Sequence, residues 1–178
     1  MNCWKTVNIT RELGQSRIYI LSCIVSMLGF ILLFLPFSLY HQNVLINDYG
    51  ILPLLFVLYL LPLMHKLCHI IPLIMFSKKV KARFYLKLNI LPSVKYRTFK
   101  AFTKKTSVFV ALGPTLFLTI PALVSGLIFP SFYPYSAFFA ALNMGLSITD
   151  FLYVVQFSKA PKQCVIENAK DGFDILIR

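Results

Sequence analysis

Four stretches of this chain are too long and too apolar to be hidden inside a water-soluble core. They run over Arg17–Tyr40, Ile51–Phe76, Thr106–Phe129 and Tyr135–Phe157, each longer than the ~20 residues that cross a hydrocarbon layer about 30 Å thick. With 58% of residues apolar and only 13% charged, too little of the chain remains to cover them. A bilayer must serve as their solvent. The reading is therefore an all-α polytopic membrane protein with four transmembrane helices. Pro36, Pro53, Pro62 and Pro72 predict kinks rather than breaks.

Charge then orients the spans. Ten of the eighteen basic residues fall in the loop Ser77–Lys105, which contains no acid, and six of the other eight lie in segments 1–16 and 158–178. The loop His41–Gly50 has neither Lys nor Arg. Positive residues stay on the cytosolic side, so both termini and the basic loop are expected there, in a multi-pass protein of the cell membrane. The formal charge of +12 is read as a topology signal and as contact with anionic lipids. No nucleic acid partner is expected, since the basic segments lie where topology alone would put them. The domain plan is a cytosolic N-terminus 1–16, a membrane domain 17–157 and a cytosolic tail 158–178. The first span is too long for a signal-peptide core and has no small-residue cleavage site after it, so it is expected to be retained. Cys23 and Cys68 lie in spans and Cys3 and Cys164 in cytosolic segments, which predicts free thiols. Trp4 and the tyrosines at 40, 49, 133 and 135 fit an interfacial aromatic belt, and His41 reads as a solvated loop residue.

The basic loop has a second pattern. Ala82, Phe84, Leu86, Leu88 and Ile90 alternate with Arg83, Tyr85, Lys87 and Asn89, the period of a strand. Pro92 and Ser93 suggest a turn, and a weaker alternation resumes over Val94–Phe102, so a hairpin on the membrane surface is expected. The tail repeats this with Gln163–Asn168, a turn through Lys170, Asp171 and Gly172, and Phe173–Ile177. Together these form a small cytosolic β element.

Ionisable residues inside a span are costly and mark function. Here they are His65, Lys66 and His69 in the second span and Asp150 in the fourth. The histidines are spaced i, i+4, on one helix face about 6 Å apart. At 1.5 Å per residue they lie roughly 21 and 27 Å from the outer end of their span, and Asp150 about 22 Å from the outer end of its own. Two histidines and an acid at one level, with a fourth position open, match a catalytic zinc site in ligand type and number. Zinc is the candidate cofactor. A hydrogen-bonded cluster joining two helices is the competing reading. Asn143, one or two turns before Asp150, could face the same cleft or act as interhelical glue. Cys68 beside His69 points about 100° away and makes a poor nucleophile pair.

The segment Leu63–Pro72, LMHKLCHIIP, resembles the HExxH helix of membrane zincins. Gly145–Phe157 followed by SKAPKQCVIENAKDGFDIL resembles the end of one family, the bacterial membrane proteins called domain of unknown function 3267, described as candidate zincin peptidases. The resemblance runs over Leu61–Ile177 and includes Gly113 and Pro114. It implies His65, His69 and Asp150 as metal ligands. Lys66, however, occupies the position of the Glu that serves as general base, so the motif reads HKxxH. An ammonium has no lone pair to take up a proton, and its charge beside a dication costs several kcal/mol in a low-dielectric site, an order-of-magnitude figure. The leading expectation is a zincin-like protein without catalysis that binds or regulates another membrane polypeptide, using the hairpin to offer a strand edge. In that form Lys66 would pair with Asp150 in place of a metal. An active membrane-embedded zinc metallopeptidase is the alternative, and a small transporter or ion-handling protein the second.

Overall fold

The computed structural model describes residues 2–42, 44–76, 80–87, 91–98, 101–169 and 172–177, with the side chains of 77–100 outside the description. Strand β1 (Asn2–Val7) leads into a short helix α1 (Ile9–Leu13), capped by Asn8 Oδ1, which accepts from the Arg11 N–H at 2.9 Å. Gly14, at φ 81°, ends α1 and turns the chain into α2 (Gln15–Tyr40), a backbone conformation that glycine adopts without a Cβ penalty. α2 and α3 (Ile51–Phe76) each run unbroken for 26 residues, with Pro36, Pro62 and Pro72 inside them. At 1.5 Å per residue each is about 39 Å long, more than a hydrocarbon core requires.

β2 (Val80–Lys87) and β3 (Leu91–Thr98) form the expected hairpin in the basic loop, and β3 packs against α3. Its register differs from the one read from turn chemistry. Pro92 and Ser93 lie inside β3, paired with Leu86 and Tyr85, so they do not form the turn. The expected strand residues Leu88, Asn89 and Ile90 lie outside the described residues. The register also sets Lys81 opposite Arg97 and Arg83 opposite Lys95.

β4 (Phe102–Thr103) runs into α4 (Lys104–Pro114), capped by Thr103. A π-helical turn, Thr115–Thr119, then leads into α5 (Ile120–Ile128). After a 3-10 turn at Pro130–Phe132 come α6 (Tyr133–Leu146) and α7 (Ile148–Lys159), then β5 (Cys164–Ala169) and β6 (Gly172–Ile177). The chain is mostly helical. Three stretches, Gln15–Tyr40, Ile51–Phe76 and Lys104–Ile128, are long and apolar enough to cross a membrane. The pair Pro130–Leu146 and Ile148–Lys159 is bent by 50° and makes a fourth if its two arms form one span. Hydropathy alone does not resolve that bend. Met27, Leu32 and Leu39 on α2 are 68%, 70% and 69% exposed, which is how a lipid-facing surface looks when only protein is present.

The tail hairpin forms, with Gly172 in β6 instead of the turn and with Lys170 and Asp171 outside the described residues, but it belongs to a larger antiparallel sheet in the order β1-β6-β5-β4. β1 pairs with β6, Asn2 with Ile177 through Val7 with Phe173, a pairing that no local pattern announces. The beginning of α2, the beginning of α4 and the end of α7 therefore meet at one end of the bundle. Val7, Ile9, Phe157, Ile166 and Ile175 form a buried apolar cluster there.

At the other end, two expectations are corrected. His41 is buried rather than solvated, with Nε2 2.9 Å from the Gly126 carbonyl and its ring 5.6 Å from that of Tyr133. Tyr133 is itself buried against Phe34 and Phe37 instead of exposed as a belt residue would be. Both follow from the close packing of α2 against α6.

Candidate metal centre

His65 and His69 stand one turn apart on α3, both buried, with ring centroids 5.2 Å apart. Asp150 reaches them from the first turn of α7, where the helix dipole favours a carboxylate. Its aim is set by the bend. Ser147 donates both its N–H and its Oγ to the Asn143 carbonyl, at 2.9 and 2.8 Å, and such back-bonding by a hydroxyl bends helices. The 50° turn swings Asp150 toward α3.

α4 closes the third side. A Cβ on Gly113 would lie 2.5 Å from the Cys68 carbonyl oxygen, so only glycine lets α4 lie this near α3. One turn earlier, the Val110 carbonyl comes within 2.8 Å of His69 Nδ1.

The structure thus brings His65, His69 and Asp150 together, with one ligand atom from each within 4.8 Å of the others. His65 Nε2 is 3.1 Å from Asp150 Oδ2, and His69 Nε2 is 3.4 Å from Asp150 Oδ1. These are the ion pairs described for Asp150, and the expected pair with Lys66 is not among them. Helix geometry explains why. Lys66 lies about 100° round the helix from His65, whereas Asp150 faces the stripe that His65 and His69 share. Asn143, fully buried on α6, joins the cluster with Oδ1 2.9 Å from His65 Nδ1.

Hydrogen-bond roles decide what this arrangement can hold. A main-chain carbonyl only accepts, so His69 Nδ1 facing Val110 carries a hydrogen, and a neutral ring then turns a bare Nε2 toward Asp150. Among the described residues, Asp150 Oδ2 is buried and has no hydrogen-bond partner, although His65 Nε2 lies 3.1 Å away. An unpartnered buried carboxylate oxygen costs a few kcal/mol. Acceptors converging in this way are satisfied by a cation between them or by extra protons on the rings. Two imidazole nitrogens and a carboxylate, with a ring N–H held by a carbonyl behind, form a donor set that fits zinc. Zinc to ligand distances of about 2.1 Å need only small side-chain shifts from this spread.

A cavity of about 110 Å³ adjoins the centre, lined by His69 and Asp150, by Val110 and Ala111 of α4, and by Phe102 and Phe173 of the sheet. Its walls are mainly apolar. Sequence reasoning missed the Val110 carbonyl and the sheet wall, since nothing in a residue's type marks its carbonyl as a partner. Gly113, one turn on, is the only hint.

A family model named domain of unknown function 3267 and described as "putative zincin peptidase" matches residues 55–165, well over half of the chain. No curated protein and no solved structure matches the chain.

Proposed function

The chain belongs to the domain of unknown function 3267 family, and from that premise we propose that it is a zincin-like membrane protein that holds zinc at His65, His69 and Asp150, does not cleave, and acts by binding another membrane polypeptide. The convergence of bare acceptors, above all the orphaned Asp150 Oδ2, carries the metal assignment and displaces the Lys66–Asp150 pair as the occupant of this site. Zinc, when bound, supplies a Lewis acid and a fixed positive charge. His69 is held for it by Val110, and the carboxylate of Asp150 balances part of the charge.

The absence of catalysis rests on the acids available. Between Asp48 and Glu167 the sequence has one acid, Asp150, and the metal uses it. No second carboxylate is left in the long apolar helices to move a proton, and Lys66, beside the ligands, cannot accept one while charged. The basic hairpin, with like charges paired in register, meets anionic lipid, which relieves repulsion that would otherwise weaken the pairing. Both termini lie on the cytosolic side of the cell membrane, a placement supported by their shared sheet and by the basic residues around it.

Zinc analysis of the purified protein tests the core of this reading. About one zinc per chain is expected, lost in His65→Ala and in Asp150→Asn. A parent without zinc ends the metal assignment. The active-peptidase reading is favoured by the apolar cavity beside the ligands, and chelator-sensitive cleavage of a membrane peptide by the parent would establish it. Cleavage by Lys66→Glu alone is the outcome expected of a zincin frame that lacks only its base.

A further inference from the structure

We infer that Asn143 is the positioning residue of this centre, and that the π-helical turn Thr115–Thr119 is the device that holds it; the inference rests on His65 being a metal ligand. Every polar atom of the Asn143 side chain is engaged. Nδ2 donates to the Pro114 carbonyl at 3.1 Å and to Thr119 Oγ1 at 2.9 Å, while Oδ1 lies 2.9 Å from His65 Nδ1. The residue is 0% exposed, so bulk water does not compete with these partners.

The direction of the amide follows from the Pro114 carbonyl. A carbonyl cannot donate, so the end of Asn143 that faces it is the NH2, and the end that faces His65 is the oxygen. His65 Nδ1 must then carry the hydrogen of that bond. A neutral ring is left with a bare Nε2, the atom 3.1 Å from Asp150. A main-chain group on α4 thereby determines, through one side chain, which nitrogen of His65 is free to ligate. Val110 does the same for His69 directly with its carbonyl. The two ligands are set by different means to the same tautomer, as outer partners of metal-bound histidines do.

The π turn makes the cradle possible. Pro114 and Thr119 are five residues apart, a separation that places them about 140° apart round an α-helix of 3.6 residues per turn. The i→i+5 repeat, seen in the Ile120 N–H bonding to the Thr115 carbonyl, brings positions five apart round to one side. Both then accept from the same Nδ2. A regular α-helix here would offer Asn143 one of the two acceptors, and if that one were Thr119, whose hydroxyl also donates, the amide could reverse.

The test reads the tautomer itself. Full-length protein labelled with 15N at histidine and stripped of metal by chelation is examined by two-bond 1H–15N NMR, at a pH high enough that neither ring holds the second proton the metal-free site would otherwise draw. His65 is expected to carry its proton on Nδ1, as is His69. In Asn143→Leu the His65 signal shifts to the Nε2-protonated pattern while His69 keeps its own, and zinc binds about 10- to 100-fold more weakly. A parent whose His65 Nδ1 lacks a proton overturns the inference, whatever the variant does. The NMR pattern in a parent that binds no zinc would leave the positioning role standing and remove the metal reading, so the two can fail separately. If Asn143→Leu does not fold, the parent spectrum alone still decides.

Discussion

Replacing Gly113 with alanine should loosen the metal centre without touching any ligand. The added Cβ would sit 2.5 Å from the Cys68 carbonyl oxygen, against the 3.4 Å at which ordinary contact begins. α4 must therefore move off α3 by roughly 1 Å, because the obstruction is main chain and cannot swing aside. Gly113 and Val110 are one turn apart on the same face of α4, meeting the neighbouring residues Cys68 and His69 of α3. A shift of that size stretches the 2.8 Å contact between His69 Nδ1 and the Val110 carbonyl beyond hydrogen-bond range. The packing cost is about 1–3 kcal/mol, and loss of the outer partner weakens zinc by about 10- to 100-fold, equivalent to roughly 1.4–2.8 kcal/mol. Competition against a chromophoric chelator measures the affinity, and thermal unfolding in the same detergent measures the stability. Gly126→Ala is the control. Its Cβ meets Ser136 Cβ at 3.1 Å and the edge of the Phe37 ring at 3.3 Å, so it should lower the melting temperature and leave zinc affinity alone. If Gly113→Ala binds zinc as tightly as the parent, the close approach of α4 does not hold the centre and the reasoning fails.

Other outcomes follow from the same geometry. Phe157→Ala removes a side chain that is 2% exposed and lies against the Tyr153 and Phe173 rings, and should cost about 3–5 kcal/mol, read as a large drop in melting temperature. Chymotrypsin should cut the loop at Phe84, Tyr85 or Tyr96 at least tenfold more slowly in vesicles rich in phosphatidylglycerol than in phosphatidylcholine. Salt near 1 M, where the Debye length is about 3 Å, should abolish the protection, and equal rates in both lipids would refute the lipid contact. Cys3, exposed on β1, should react with a membrane-impermeant maleimide only when the cytosolic face of sealed vesicles is accessible. Labelling from the opposite face would reverse the topology.

How much of this could be read from residue types alone depends on the range of each interaction. The apolar spans are intrinsic to their own residues, and α3 begins and ends where hydropathy puts it, at Ile51 and Phe76. The level of His65, His69 and Asp150 needed only the rise per residue and a common bilayer. Whether they would meet depended on more, namely the bend at Ser147 and the clearance at Gly113. Pairing Lys66 with the nearest acid ignored helix rotation, which directs Asp150 to the histidine stripe. Pro92 and Ser93 are good turn formers, yet strand register overrode them. His41 looked solvated because its partner is a carbonyl 85 residues away. The π turn and the β1–β6 pairing have no signature in the residues that form them.

The pairing of β1 with β6 also sets an order of assembly. Asn2–Val7 leaves the ribosome long before its partners, Phe173–Ile177, are made. Until α7 is in place the opening strand has nothing to pair with, and the cavity beside Asp150 lacks its sheet wall. Contacts this distant in sequence form late and slowly. The histidines of α3 are thus synthesised long before the acid that completes their set. A chain halted between α3 and α7 would hold two imidazoles without their third ligand, so on the proposed metal assignment loading would report that α7 has been made and has joined α3.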